Sequence, residues 1–344
     1  MKLTYISKDT SLCLKGFALF LMVFLHLFNQ EANIRDCFSL CSVQGVPLAN
    51  FLSRGCNPVG LYLFVSGYGL YYLHRKRSGG GKYRLLKLYI IYWCALLPFV
   101  GIGSCLKPDI YPGTWKDVVA NVTAYRTGYY GEAWFLFPYI LLSLTSGVVF
   151  KVLDKCGAKL VYPVAFVLNY MAMYAISRYY TAYFDSHYAV YHVVLYFDCL
   201  LPFLTGALFC KYADHEFTGQ WPCKVVKCQS LMVVSLALLF LANCLIHSAA
   251  FAPIYLPLFM LLFVRIEFCK ILASCLRFLG RFSTVVWLVH TWFCYYLFKD
   301  FVYGFHYPLL ILTVEFALSI ASGYVVMKIA DVVYKVVWQE KRNL

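Results

Sequence analysis

The chain has 344 residues, of which 62% are hydrophobic and only 13% are charged. A soluble domain normally carries about 25% charged residues, so this composition excludes a water-soluble globular protein. The formal net charge of +14 would suit nucleic-acid binding. Surplus Lys and Arg also collect in the cytoplasmic loops of membrane proteins, and we favour that explanation and expect no nucleic-acid partner.

Long apolar runs follow one another along the chain. A helix of about 20 apolar residues crosses the hydrocarbon core, where only helices or closed barrels satisfy the backbone. The runs are continuous rather than alternating, which indicates helices. We predict an all-α polytopic transmembrane helical bundle, organised as a single domain over 1–344. Its ten or so spans are expected at 15–30, 57–74, 87–106, 133–152, 159–177, 190–210, 229–247, 249–264, 282–298 and 308–330.

The basic residues are divided unequally between the two sides of such a bundle. If the N-terminus is cytoplasmic, ten spans leave seven of the 30 Lys and Arg residues outside, namely Arg35, Arg54, Lys107, Lys116, Arg126, Arg178 and Lys299. The positive-inside rule then predicts that both termini are cytoplasmic. Pro253 and Pro257 interrupt 229–264, but merging this stretch into one span would move the last basic clusters outside.

Tyrosine and tryptophan gather where the predicted spans meet loops, as at Tyr129-Tyr130 and Tyr295-Tyr296. This distribution is typical of the aromatic belt at a membrane interface. We therefore attach no function to most of the 30 tyrosines.

The first span contains His26, eleven residues after Lys15. Eleven residues of helix rise about 16 Å, which places His26 past the middle of the membrane, toward the outer side. An intramembrane histidine is a functional-site hypothesis by default, and a neutral imidazole is a suitable general base near pH 7. The alternative is a histidine that anchors the helix end at the interface.

The second span ends in a stretch of small residues that includes Ser66 and Gly67. Small residues let another helix or a thin ligand approach the backbone. On local sequence alone, plain helix packing is the better explanation.

A basic loop follows, with Arg75 and Arg77 before a glycine run and Arg84 and Lys87 after it. Arg84 and Lys87 are three residues apart and share one helix face, an arrangement that suits a phosphate-bearing ligand. Topology determination and attraction to anionic lipids would explain Arg75 and Arg77 well, and the positioned Arg84–Lys87 pair less well.

The fourth span begins with Glu132 and Trp134, and the ninth contains Ser283 and His290. Glu132 could orient His26 or contact a substrate hydroxyl, or it could be a solvated carboxylate favoured by the helix dipole. His290 is a second intramembrane histidine. We expect no metal site, because no His, Cys, Asp or Glu spacing matches a metal motif.

Cys37, Cys41 and Cys56 fall in the outer loop 31–56. An oxidising compartment would permit one disulfide there, but three cysteines leave its partner open.

In order, these motifs resemble the membrane-bound acyltransferase-3 family over nearly the whole chain. The similar segments are Lys15-x10-His26, the Ser66-Gly67 helix end, Arg84-x-x-Lys87, Glu132-x-Trp134 with the Phe-Leu that follows, and Gly280-x-x-Ser283 leading to His290. Two departures stand out: lysine at position 87 loses the bidentate fork of the family's arginine, and Trp287 replaces the usual tyrosine.

The resemblance implies a multi-pass cell-membrane enzyme, which we place in a bacterial inner membrane. It would be an O-acyltransferase, and we expect an O-acetyltransferase, that moves an acyl group from cytoplasmic acyl-CoA to a hydroxyl of an extracytoplasmic glycan or lipid-linked saccharide. Acyl-CoA would be a donor substrate rather than a tightly bound cofactor.

On this interpretation we expect the following roles for the residues. His26 and Glu132 would be catalytic; the donor would contact Arg75, Arg77, Arg84, Lys87, Ser66 and Gly67; the substrate would contact Lys15, Trp134, Ser283 and His290. One alternative function is a transporter or flippase of a lipid-linked glycan, which predicts inverted repeats that we do not find. Another is a membrane scaffold, which gives His26 and His290 no reason to be buried.

Overall fold

The computed structural model describes residues 6–77, 81–213 and 228–340. Lys2, Lys224, Lys227, Lys341 and Arg342, which the charge count assigns to the cytoplasm, lie outside these ranges. The described chain is almost entirely helical. Its α-helices are α1 (Lys8–Phe28), α2 (Leu48–Ser53), α3 (Pro58–Arg75), α4 (Gly81–Leu106), α5 (Trp115–Val122), α6 (Leu136–Cys156), α7 (Ala158–Tyr179), α8 (Tyr188–Lys211), α9 (Gln229–Ile246), α10 (Ala252–Phe263), α11 (Lys270–Thr291), α12 (Lys299–Tyr303) and α13 (Pro308–Glu340).

Two strands, β1 (Ser42–Val43) and β2 (Val46–Pro47), form a short antiparallel hairpin. Gln44 and Gly45 connect them with φ values of 53° and 79°. Positive φ at both central residues is typical of a two-residue hairpin turn, because the twist of such a turn matches the twist of the flanking strands.

Eight helical segments in the described ranges are long and apolar enough to cross a membrane. They are Lys8–Phe28, Tyr83–Leu106, Gly131–Cys156, Ala158–Phe184, Tyr188–Lys211, Gln229–Ile246, Lys270–Tyr296 and Pro308–Val337. The prediction of an all-α polytopic bundle is confirmed. The other two predicted spans, 57–74 and 249–264, correspond to α3 and to the shorter apolar segment Ala249–Phe263. The side on which each terminus lies stays a prediction.

The stretch 229–264 forms two helices, as the charge count favours. His247 ends α9 in the left-handed conformation, with φ 43°. Pro253 lies in the first turn of α10, where its missing N–H is not needed. Pro253 therefore marks a helix start, whereas Pro257 lies inside α10.

The helix around His290 begins well before the predicted residue 282. α11 starts at Lys270 and carries Arg277 and Arg281 within it. Hydropathy averaged over a window does not distinguish one face of a helix from another. Charged residues on one face lower that average, so a continuous helix is predicted to begin too late.

The chain divides into two compact units. Unit 1 comprises Met1–Leu21, Phe51–Gly79 and Pro138–Gly280. Within it α3 packs along α8, which also packs against α7. A Cβ on Gly67 would lie 1.8 Å from the carbonyl oxygen of Phe203, and one on Gly206 would lie 1.9 Å from that of Phe64. Only glycines allow the α3 and α8 backbones to approach this closely.

Unit 2 comprises Met22–Asn50, Gly80–Phe137 and Arg281–Leu344. Within it α13 packs against α4. α11 continues into a wide π-helical turn, Trp292–Tyr296, which Leu297 N–H closes on the carbonyl of Trp292 at 2.9 Å. A tight 3₁₀ turn, Gly131–Phe135, precedes α6. Single π turns are frequent at functional sites, and this one lies directly after His290.

Candidate active site

Two histidines meet in unit 2. His26 lies near the end of α1 and His290 near the end of α11, and their ring centroids are 5.1 Å apart with a 50° angle between the planes. His290 is fully buried, whereas His26 is half-buried and so remains reachable. The edge of the Tyr295 ring also contacts His26, with centroids 5.8 Å apart. The sequence predicts both histidines as site residues, and the structure brings them together.

The surroundings of His290 define its tautomer. Its Nδ1 lies 3.0 Å from the carbonyl oxygens of both Val286 and Trp287. Carbonyls only accept hydrogen bonds, so Nδ1 carries the proton and Nε2 of the neutral ring keeps its lone pair.

Two imidazole nitrogens at this site have no hydrogen-bond partner among the described residues: Nε2 of His290 and Nδ1 of His26. An unpaired buried polar atom costs about 1–3 kcal/mol. Two of them side by side mark a place where a ligand or a ring movement can recover that energy.

Glu132 has different partners from those expected. Its Oε2 accepts hydrogen bonds from Tyr296 Oη at 2.8 Å and from Thr291 Oγ1 at 3.1 Å. Tyr296 Oη also accepts from Gly131 N–H at 2.8 Å, which ties the 3₁₀ turn to the π turn. In the described part of the chain, Glu132 forms no hydrogen bond with His26, so the structure does not reproduce the predicted orienting contact.

A second set of bonds links the 3₁₀ turn to α11. The indole N–H of Trp287 donates to the carbonyl of Glu132 at 3.2 Å. The Tyr130 hydroxyl donates to the carbonyl of Trp287, which is one of the two carbonyls that hold His290. Trp287, noted in the sequence only as a departure from the family pattern, therefore helps to position the histidine.

Aromatic rings hold the π turn in place. Trp292 is fully buried and stacks on Phe99 and on Tyr130, with centroids 5.3 and 5.5 Å apart and planes within 6° and 15°. The Tyr295 hydroxyl donates to Asn29 Oδ1 at 2.8 Å, just beyond the end of α1. The interfacial-belt interpretation is therefore incomplete for Tyr295 and Tyr296, because both hydroxyls have defined partners at the histidine site.

The expected donor residues fall in both units. Arg84 and Lys87 are exposed on α4 in unit 2, and Lys87 Nζ lies 3.5 Å from Asp331 Oδ1 on α13. Arg75 and Arg77 are exposed at the end of unit 1's α3. Arg84 has no hydrogen-bond or ion-pair partner within the described ranges.

The remaining expected residues are also distributed between the units. Lys15, Ser66 and Gly67 belong to unit 1, where the contact with α8 accounts for Gly67 without a ligand. Trp134 and Ser283 belong to unit 2; Trp134 is half-buried, and Ser283 is 4% exposed and seven residues before His290. A groove of about 410 Å³ between α7, α8 and α10 in unit 1 contains none of the expected site residues.

Glu315 is a polar residue of unit 2 that the sequence reasoning missed. It is fully buried in α13; its Oε1 accepts from Ser319 Oγ at 2.8 Å, and its Oε2 has no partner in the described part of the chain. It lies near Cys294, in the π turn. A signal was available, since Glu315 is the only acidic residue within the predicted span 308–330 and intramembrane carboxylates are functional-site candidates.

Comparison with known proteins gives one match. The model of a protein family described as an acyltransferase domain matches residues 13–328, which is nearly the whole chain. No curated protein and no solved structure gives a significant match. Among the described residues, no group of three or more His, Cys, Asp and Glu side chains is arranged to hold a metal ion.

Proposed function

Because the chain belongs to the acyltransferase-3 family, we propose that it moves an acetyl group from cytoplasmic acetyl-CoA to a hydroxyl of an extracytoplasmic glycan or lipid-linked saccharide. It is a multi-pass membrane acyltransferase. Beyond membership of the family, the proposal specifies the donor, the acceptor and the direction of transfer. It also places the protein in a bacterial inner membrane.

The pair of unpaired imidazole nitrogens supports this proposal most strongly. Imidazole is largely uncharged near neutral pH and accepts a proton from a hydroxyl in the transition state. Nε2 of His26 takes the proton of the acceptor hydroxyl, and the oxygen attacks the thioester carbonyl. The tetrahedral intermediate then expels the CoA thiolate, which takes that proton from His26 and restores the neutral base, and the acetyl ester remains on the acceptor.

His290 orients the base in this proposal. Its Nε2 can only accept, because Nδ1 carries the proton. A rotation of the His26 ring that placed its Nδ1–H against this acceptor would satisfy both unpaired nitrogens at once. Nε2 of His26 would then be the free basic atom.

Glu132 supports the site indirectly. Its carboxylate holds Thr291, next to His290, and Tyr296, at the end of the π turn. We propose that these charge-assisted bonds keep the turn in one conformation and so set the position of His290.

Arg84 is the best candidate for a phosphate contact on the donor side. It is exposed, and it has no partner within the described ranges. Lys87 contributes less, because Asp331 already offsets part of its charge. Arg75 and Arg77 add positive charge near the same surface if the predicted topology holds.

The test is acetyl transfer by the purified protein in sealed proteoliposomes. Acetyl-CoA labelled in the acetyl group is supplied on one side, and saccharide acceptors are supplied on the other. The proposal predicts labelled, base-labile ester on the acceptor only when the CoA reaches the cytoplasmic face. Movement of a lipid-linked glycan without any acetyl transfer would instead support the flippase alternative.

A further inference from the structure

The connection between α2 and α3 presses against the end of α9 in unit 1. A Cβ on Gly55 would lie 2.4 Å from Sγ of Cys244 and 3.0 Å from the ring of Phe240. Asn243 Nδ2 also donates to the carbonyl of Gly55 at 2.9 Å. The turn before α3 is thus held directly against Cys244.

The neighbouring residue in that turn is Cys56. Its Sγ lies 3.8 Å from the carbonyl oxygen of Leu52, and Sγ of Cys244 lies 3.7 Å from the same oxygen. Two thiols therefore donate to one acceptor. The hydroxyl of Tyr255 lies near both sulfurs, is buried and has no hydrogen-bond partner in the described chain.

We propose that Cys56 and Cys244 are joined by a disulfide in the mature protein. A disulfide needs its sulfurs about 2.05 Å apart. Cys56 and Cys244 are free thiols in the structure, and their contacts with one carbonyl oxygen bring the two sulfurs near each other, so closing the bond requires movement of the side chains. The proposal also answers the question left by the odd number of cysteines in loop 31–56. Cys37 and Cys41 belong to the other unit, and the partner of Cys56 comes from α9.

The predicted topology places both cysteines at the outer face, where disulfides persist if the compartment is oxidising. Each thiol loses a proton and the pair loses two electrons, which a disulfide-donating oxidoreductase of that compartment accepts as it is reduced to its dithiol. Burial raises the pKa of the Cys56 thiol in the folded chain. Because the thiolate is the reacting form, we expect the bond to form before α9 covers the site.

The competing explanation is that both cysteines are small apolar packing residues. The two explanations differ in a measurable way. A disulfide between distant parts of the sequence restricts the unfolded chain, so it adds stability that a reductant removes. Packing thiols give stability that does not depend on the reductant.

The first experiment traps thiols in intact cells. N-ethylmaleimide is added during denaturing lysis, and the full-length protein is digested and analysed by mass spectrometry with and without reduction. The proposal predicts a linked Cys56–Cys244 peptide that disappears on reduction, while Cys41, exposed and free in the structure, carries the label. Direct labelling of both Cys56 and Cys244 without prior reduction would overturn it.

Variants give a second, independent readout. Cys56→Ser and Cys244→Ser should each lower the Tm by roughly 5–10 °C in the absence of reductant, and Cys41→Ser should leave it unchanged. With reductant, wild type and Cys56→Ser should melt together. A wild-type Tm that does not respond to reductant would contradict the disulfide. Neither readout uses enzymatic activity, so the result is independent of the proposed function.

Discussion

Two helix contacts, one in each unit, are built in opposite ways. In unit 1, α3 and α8 approach backbone to backbone at Gly67 and Gly206, with no room for a side chain. In unit 2, large aromatic rings and polar side chains fill the contacts around His26 and His290, and single polar atoms remain unpaired. Close packing of glycines stabilises a bundle but offers no reactive group. Unpaired buried nitrogens weaken it, and the proposed proton transfer at His26 would give them a use.

Replacement of the proposed base should have the largest effect on activity. His26→Asn keeps a polar side chain of smaller volume but removes the basic nitrogen, so acetyl transfer should fall about 10²–10⁴-fold. The measurement is the rate of labelled acetyl transfer by purified protein in proteoliposomes.

His306→Asn is the matched control. His306 is an exposed histidine of the same unit in the left-handed conformation, with φ 56°, which asparagine tolerates. Its rate should stay within about twofold of wild type, since no proton transfer is assigned to it. Equal rates for wild type and His26→Asn would remove His26 from the mechanism.

A methyl group at the α3–α8 contact should damage the fold instead. The Cβ of Gly67→Ala would lie 1.8 Å from the Phe203 carbonyl oxygen, which cannot move without its helix. We expect an overpacking cost of about 1–3 kcal/mol and a Tm lower by roughly 5 °C. Thermal unfolding in detergent measures it.

Gly69→Ala, two residues further along α3, provides the control for this substitution. Apart from the backbone of α3 itself, no atom of the described residues lies within 4 Å of a Cβ at that position, and alanine favours helix over glycine. Its Tm should match or exceed that of wild type. A similar loss of Tm in both variants would show that the close contact is not what makes Gly67 necessary.

The Glu132 bonds should have an intermediate effect. Tyr296→Phe removes the donor that lies 2.8 Å from the carboxylate but keeps the ring. Loss of a charge-assisted hydrogen bond costs about 1.5–3 kcal/mol, so kcat should fall roughly 10–100-fold if the π turn sets the position of His290. Tyr295→Phe removes the bond to Asn29 instead and should leave kcat closer to wild type. A larger fall in kcat for Tyr295→Phe than for Tyr296→Phe would show that the site is supported mainly by the bond to Asn29 at the end of α1.

The donor-side cations should have the smallest effects. Arg84→Gln removes one charge that has no ion-pair partner within the described ranges, and it should raise the KM for acetyl-CoA about fivefold at low salt, with less change at high salt. Lys87→Gln should raise it less, because the exposed pair with Asp331 is worth about 0–1 kcal/mol and already occupies the lysine. A change in kcat at constant KM would contradict a role in donor binding for either residue.

Much of the fold could be predicted because the bilayer imposes a simple rule on composition and length. Hydropathy identified the helical bundle, and the charge distribution separated α9 from α10. Hydropathy placed the start of α11 too late, because Arg277 and Arg281 lower the average hydropathy of a helix that is in fact continuous.

The site was predictable only in part. His26 and His290 were identified because a polar residue in an apolar run is costly wherever its helix lies. Glu315 satisfies the same rule and should have been identified. The partners of Glu132 could not be predicted, because they depend on the π turn that brings Tyr296 back toward Gly131. Sequence spacing does not encode contacts between helices of unknown orientation.

The most direct test measures the acetyl-transfer rate and the Tm on the same preparations of His26→Asn and Gly67→Ala, with each rate expressed per folded molecule. We predict that His26→Asn loses at least about 100-fold in rate at an almost unchanged Tm, whereas Gly67→Ala loses Tm at a nearly unchanged rate. A His26→Asn protein that transfers acetyl groups at the wild-type rate per folded molecule would contradict the assignment of the chemistry to the histidine pair.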